Sequence, residues 1–346
     1  MKKKRRLFKK NKPLTKKAKE KPVIPAKLSP KRYSVLKNIN KHESSLLTLL
    51  IPLLLVVIYF TISYLNTYIS KNIKVNKLTD SLSGKMLPFP QVNESYIPYL
   101  SARAAIVVGA DNQAVIFSKN PNLRFSMAST AKVMTALVAL EHYKMDSVLT
   151  IKSRGVPGST IGLQNGEKFY FEDLLYAMLL PSANDAAVAI VDNYPGGKAE
   201  FVKKMNEKAK ALHLKNTSFS DPAGLDDDGN FTTVDDLARL GGAAMQNQKL
   251  SEVVGTPYKL ITNQSRSKQY SLGNLNRLLG VNGVNGIKTG TTEGAGEVLV
   301  TSSKQNGHTF IIVVMNSQDR FADTRALLSF IENNVSFVDL SISEEN

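Results

Sequence analysis

The feature that most constrains this chain is a run without charge. Between Glu43 and Lys71 lie 27 consecutive uncharged residues, centred on LLTLLIPLLLVVIYFTI. A helix of about 20 apolar residues crosses the hydrocarbon core of a bilayer. Pro52, near the start of the run, is tolerated in a membrane helix because neighbouring groups re-satisfy the freed backbone. The run also divides the chain chemically. Residues 1–43 hold 17 Lys/Arg against two acids, Glu20 and Glu43, whereas the remainder holds 28 basic and 27 acidic residues. The net charge of +16 is thus a property of the tail. Cations crowded on one flank of an apolar span predict that this flank stays cytoplasmic and that the bulk of the chain lies outside. A cleaved signal peptide fits less well: the basic region is too long, the apolar run exceeds the usual ~7–15 residues, and no A-x-A-like site follows.

The tail MKKKRRLFKKNKPLTKKAKEKP has the composition of a nucleic-acid arm. The span behind it favours a topology signal that also touches anionic headgroups, so no nucleic-acid partner is expected. Cysteine is absent, which removes disulfides and thiol chemistry. The four histidines (His42, His142, His213, His308) are scattered without metal-ligand spacing, so neither a metal nor another cofactor is implied.

The expected organisation is a basic cytoplasmic tail over 1–43, a transmembrane helix over 44–69, a stalk over 70–97, a catalytic domain over 98–335 and a C-terminal tail over 336–346. Within the domain, ARAAIVVGADNQAVIFSKN reads as a hairpin around Gly-Ala-Asp-Asn. A helix is expected from Met127. FEDLLYAMLLPSANDAAVAIVDNY reads as two helices broken near Pro181, and KAEFVKKMNEKAKALHL as an amphipathic helix. TVDDLARLGGAAMQ is a further helix with Thr233 or Thr232 as its cap. GIKTGTT, GEVLVTSSK and HTFIIVVMN read as strands, and DTRALLSFIENN closes the domain as a helix. Strands at both ends with helices between them predict one sheet assembled from distant parts of the chain, beside a helical region.

Three short motifs carry chemistry. S-x-x-K occurs at Ser34, Ser129 and Ser265, but only Ser129 opens a helix of small, buriable residues. At that spacing Ser129 and Lys132 share one helical face, so hydroxyl and amine can touch. PSAND places Ser182 and Asn184 at a break between helices, where polar side chains can face a cleft. K-T-G occurs once, as Lys288-Thr289-Gly290 on a strand, and glycine inside a strand marks close approach by a backbone or ligand. The order S-x-x-K, S-x-N, K-T-G is the motif set of penicillin-binding proteins and class A β-lactamases.

From about Ala102 to Ile331 the chain resembles the penicillin-sensitive D-alanyl-D-alanine carboxypeptidases, the low-molecular-mass penicillin-binding proteins of the serine β-lactamase-like superfamily. MASTAKVMTALVAL, DLLYAMLLPSANDAAVAI, FSDPAGLDDDGNFTTVDDLARL and NLNRLLGVNGVNGIKTGTTEGAGEVLV carry the resemblance. It implies an α/β (α+β) fold: an antiparallel sheet flanked by helices, a mostly helical subdomain and a site between them. It also implies a peptidoglycan stem peptide ending in D-Ala-D-Ala as substrate and β-lactams as covalent inhibitors. Many members carry a cleaved signal and a C-terminal β-rich domain with an amphipathic anchor; here the anchor is expected at the N-terminus.

Serine needs a base beside it, and Lys132 can serve only when neutral. Burial, the nearby cation Lys288 and the positive end of a helix all oppose charge on it. The resemblance assigns the remaining roles. The amides of Ser129 and Thr291 would hold the oxyanion, Ser182 would relay the proton to the leaving D-alanine and Asn184 would hold the substrate amide. Lys288 and Thr289 would bind the terminal carboxylate, and the edge of the K-T-G strand, Gly290 included, would pair with the extended substrate. His142 lies nearly 20 Å along the helix from Ser129 by its 13-residue separation, which favours packing. Asp185 and Asp221 read as turn or cap residues. A β-lactamase would use an E-x-x-x-N glutamate, yet none of Glu200, Glu207 and Glu252 has Asn four residues on. A D,D-endopeptidase uses the same residues, so it stays open beside the carboxypeptidase. A non-catalytic penicillin-sensing module would require vestigial motifs, and all of their side chains are intact.

Overall fold

The computed structural model describes residues 43–72, 89–93, 96–152, 155–225 and 229–338. The chain forms two compact units, Met1–Gly84 and Lys85–Asn346. In the first, α1 (Glu43–Asn72) is a continuous helix containing Pro52. Its side chains are described over 52–68. Among the described residues no helix is long and apolar enough to cross a membrane.

The second unit is built on a five-stranded antiparallel sheet. Its strands are β1 (Ala104–Gly109), β2 (Val115–Lys119), β3 (Val284–Thr292), β4 (Gly296–Gln305) and β5 (His308–Ser317). Their spatial order is β3-β4-β5-β1-β2, so the chain's early hairpin and its late strands share one sheet, as expected. The K-T-G strand is an edge strand of that sheet, with Lys288 opposite Val300 and Gly290 opposite Val298 on β4.

Helices α2 (Ala131–His142), α3 (Phe171–Leu179), α4 (Asn184–Asp192), α5 (Gly197–Ala211), α6 (Val234–Gln246) and α8 (Arg320–Asn334) follow the expected segments, whereas the short α7 (Gln248–Val254) was not anticipated. Two starts differ from the sequence reading. Ser129 lies on a 3-10 turn, Ala128–Thr130, with the α-helix beginning at Ala131. The last helix begins at Arg320 because Asp319 Oδ1 accepts from the amides of Phe321 and Ala322, a strong N-cap that the apolar pattern does not register. Thr233 is the cap of α6, accepting from the Asp236 amide at 3.2 Å.

Because side chains alternate across a strand, the sheet has two apolar faces. Ala105 and Val107 of β1 join Phe310, Ile312 and Val314 of β5 beneath Leu327, Leu328, Phe330 and Ile331 of α8. On the opposite face Ile106, Val108, Val300, Ile311 and Val313 join the helical region. Gly241 lets α6 approach that face closely: a Cβ there would stand 3.1 Å from Ile311 and Val300. A separate ladder pairs Phe89–Val92 with Val335–Val338 antiparallel. Residues expected in the stalk and in the C-terminal tail therefore meet, and paired backbone extends past both the 98 and 335 boundaries.

Candidate active site

The nucleophile candidate sits where backbone geometry is constrained from two sides. Ala128, just before Ser129, has φ +47°, the left-handed region that non-glycine residues rarely occupy and that clusters at functional sites. On one side, β3 lies against the turn. A Cβ on Gly290 would stand 3.0 Å from Ala128 Cβ and 3.2 Å from the Ser129 amide nitrogen. The missing side chain of K-T-G thus lets the strand reach the serine's own N–H, as the glycine-in-strand argument anticipates. On the other side, the loop 220–225 closes in through Gly224.

Lys132 Nζ donates to Ser129 Oγ at 2.9 Å and to the Ala223 carbonyl at 2.8 Å. The side chain is fully buried. Burial pushes its amine down to about 7, against an opposing pull from the Asp221 carboxylate. A neutral amine can accept the hydroxyl proton along the same 2.9 Å line, which is the geometry general-base activation requires.

Lys288 is 2% exposed and donates to the Thr289 carbonyl at 2.9 Å. Burial, with Lys132 and Arg320 nearby, holds it well below the ordinary lysine value. Arg320 stands beside the same strand. Its Nη1 donates to the Gly290 carbonyl at 2.8 Å and to Thr291 Oγ1, while its amide donates to Glu297 at 2.9 Å. A guanidinium stays charged and offers a planar fork suited to carboxylate.

Ser182 has φ +65° and is buried, and its Oγ has no hydrogen-bond partner among the described residues. A buried hydroxyl held so is poised for a partner the site itself lacks. Asn184 Nδ2 donates to the Pro157 carbonyl at 2.7 Å, and its amide donates to Ser159 at 2.7 Å. Ser129 and Lys132 are thus directly joined and Gly290 abuts the serine. Among the described residues no hydrogen bond links Ser182 or Asn184 to that pair.

The other sequence candidates lie elsewhere. His142 contacts the rings of Tyr143 and Tyr194. Glu200, Glu207 and Glu252 form ion pairs with lysines of their own helices. Asp185 accepts from the amides of Ile161, Gly162 and Leu163, and Asp221 from those of Ala223, Gly224 and Leu225; both are the turn residues expected. Motif reading missed Arg320, which has no neighbour motif, and the Ala223 carbonyl. The Asp319 cap marks only where α8 begins and not what Arg320 meets, and a backbone carbonyl leaves no residue-type signal.

Residues 91–319 match the family model described as D-alanyl-D-alanine carboxypeptidase. D-alanyl-D-alanine carboxypeptidase DacF of Bacillus subtilis (strain 168) is 35% identical over 240 residues, covering 66% of this chain and 61% of its own length. The chain thus spans about three fifths of that relative. The D-alanyl-D-alanine endopeptidase of Pseudomonas aeruginosa is also 35% identical, over 67% of this chain and 78% of its own length. Among solved structures, the Streptomyces K15 DD-transpeptidase superposes with a TM-score of 0.64 at 27% identity, over 68% of this chain and 98% of its own. The D-alanyl-D-alanine carboxypeptidase of Mycobacterium tuberculosis H37Rv gives a TM-score of 0.65 at 26% identity, over 71% and 98%.

Proposed function

The chain belongs to the D-alanyl-D-alanine carboxypeptidase family, and from that premise we propose that it removes the terminal D-alanine from peptidoglycan stem peptides and is acylated by β-lactams. The observation that carries this is the 2.9 Å contact between Ser129 Oγ and a buried Lys132 amine brought down to about 7.

In the proposed reaction Ser129 Oγ attacks the penultimate carbonyl and its proton passes to Lys132 Nζ. The oxyanion meets the amides of Ser129 and Thr291. Ser182 hands the proton to the departing amine as the C–N bond breaks, and Asn184 holds the peptide amide. Arg320 and the Lys288–Thr289 pair meet the terminal carboxylate by charge-assisted contacts. Water then hydrolyses the ester, with Lys132 again taking a proton. The outer edge of β3 pairs with the extended peptide.

The test is mass spectrometry of the penicillin-treated protein together with D-alanine release from a D-Ala-D-Ala peptide. An adduct on Ser34, Ser182 or Ser265, or none, overturns the assignment. D,D-endopeptidase action is the second reading, favoured by the similarity to the Pseudomonas endopeptidase. Cleavage of cross-linked dimers in preference to the pentapeptide would select it.

The same proposal includes anchoring by the uncharged run. Leu53, Leu54, Tyr59, Phe60, Ile62 and Leu65 of α1 are all exposed, an all-round apolar surface suited to lipid. Protease added to intact spheroplasts is expected to digest residues beyond 71 and to spare the basic tail. The reverse pattern would invert the topology.

A further inference from the structure

Lys132 has to do more than lose its charge, because its lone pair must also point at Ser129. A neutral amine has two N–H donors and one lone pair, so a fixed acceptor for one N–H restricts where the lone pair can lie. That acceptor is the Ala223 carbonyl, 2.8 Å from Nζ. It belongs to a loop without regular structure, and the side chain that shapes the loop is Asp221.

Asp221 Oδ1 accepts from the amides of Ala223, Gly224 and Leu225 at 2.8, 3.0 and 3.4 Å. Its Oδ2 meets Lys198 Nζ at 3.1 Å. Asn230 braces the same segment, accepting from Ser220 and Asp221 and donating to the Leu225 carbonyl. One turn beyond Lys132 on α2, Thr135 Oγ1 donates to the Pro222 carbonyl at 2.6 Å. Two successive carbonyls of the loop, Pro222 and Ala223, thereby receive donors from α2.

We propose that Asp221 is the positioning residue for the Lys132 amine. By gathering three amides of the loop it turns the Ala223 carbonyl onto Nζ and leaves the lone pair directed at Ser129. The inference rests on the proposed role of Lys132 as base, and it adds a second consequence. The Asp221 carboxylate is an anion within electrostatic reach of Lys132, so it holds the amine's titration higher than burial alone would. The charged groups set around Lys132 are Lys288 on β3, whose charge Lys132 suppresses, and Asp221 with its partner Lys198 on α5. Asp185 on α4 is turned instead to the amides of residues 161–163.

Two substitutions separate the effects. Asp221→Asn keeps an acceptor oxygen for the amides and removes the charge, whereas Asp221→Ala removes both. The probes are benzylpenicillin acylation against pH and the 13Cε-lysine NMR titration of Lys132, which needs no turnover. For Asp221→Asn the Lys132 titration and the acid limb of acylation should both move down by a few tenths of a pH unit, with the plateau within about threefold of the parent. For Asp221→Ala the plateau should fall at least tenfold, because a misdirected lone pair is not restored by raising the pH. An unmoved titration in Asp221→Asn, or an Asp221→Ala protein with a normal plateau, overturns the inference. Should the parent not be acylated at all while the NMR shift appears, the proposed function falls and the coupling of Asp221 to Lys132 stands.

Discussion

Gly224 and Ala128 meet through backbone alone: a Cβ on Gly224 would stand 1.8 Å from the Ala128 carbonyl oxygen and 2.6 Å from its carbonyl carbon. Gly224 also has φ +80°, so both sterics and dihedral demand glycine. The contact fixes how closely the loop bearing Ala223 approaches the turn bearing Ser129. Gly224→Ala is expected to destabilise the unit by about 3 kcal/mol or more. In whatever folds, it should slow penicillin labelling of Ser129 by about a hundredfold. Urea denaturation and labelling kinetics measure the two effects. A stable protein with unchanged labelling would show that the loop can retreat without disturbing the site.

The pH dependence of acylation has a definite sign. Lys132 titrates at about 7, and only its neutral form has a lone pair for the Ser129 proton. Below that point the acylation rate constant should fall about tenfold per pH unit, and above it the rate should level. A rate that stayed level through about pH 7 and fell only at about pH 4 would assign the base to a carboxylate.

The two lysines should respond differently to arginine. Lys132→Arg keeps a cation but removes any accessible neutral state, so acylation should drop by about a thousandfold or more while peptide binding persists. Lys288→Arg keeps a cation near the Thr289 carbonyl and should show a smaller loss, mainly in KM. Steady-state D-alanine release by both variants decides. Near-normal kcat in Lys132→Arg would remove Lys132 as base.

Arg320 is expected to matter only for substrates that end in a carboxylate. Arg320→Ala should raise KM for a D-Ala-D-Ala peptide by about tenfold to a hundredfold, the range of a charge-assisted hydrogen bond. It should have little effect on cleavage of the same peptide with an amidated terminus. Equal losses on both substrates would mean that Arg320 acts by holding the end of β3, through Gly290 and Thr291.

Local patterning made much of this molecule legible. Ile311/Val313 and Phe310/Ile312 alternate, which fixes the two faces of β5, and Pro181 separates α3 from α4 as its missing N–H requires. The contact between Ser129 and Lys132 was legible because it depends on a spacing within one turn. Arg320 was not: its partners Gly290 and Thr291 are brought to it by sheet pairing across some 30 residues, and no spacing rule encodes that. The Ala223 carbonyl was hidden for a different reason, since any residue could supply it. The expected α-helical start at Met127 failed because close packing of Gly224 and Gly290 forces the turn before Ser129 into a tighter, left-handed geometry.

The ladder joining Phe89–Val92 to Val335–Val338 has a mechanical consequence. Tension arriving along the chain from residues before 89 loads the Phe89–Val338 rung first, because that rung is the outermost of the four. Such a load opens an antiparallel pair like a zipper, one rung after another, instead of shearing all of them together. The sheet strands that carry Lys288 and the helix that carries Arg320 lie beyond the last rung, Val92–Val335, so the ladder yields before they do. A pull on the catalytic unit from its N-terminal side should therefore show a first, low-force extension of a few residues while penicillin labelling continues. The ladder thus stands between a pull from that side and the chemistry.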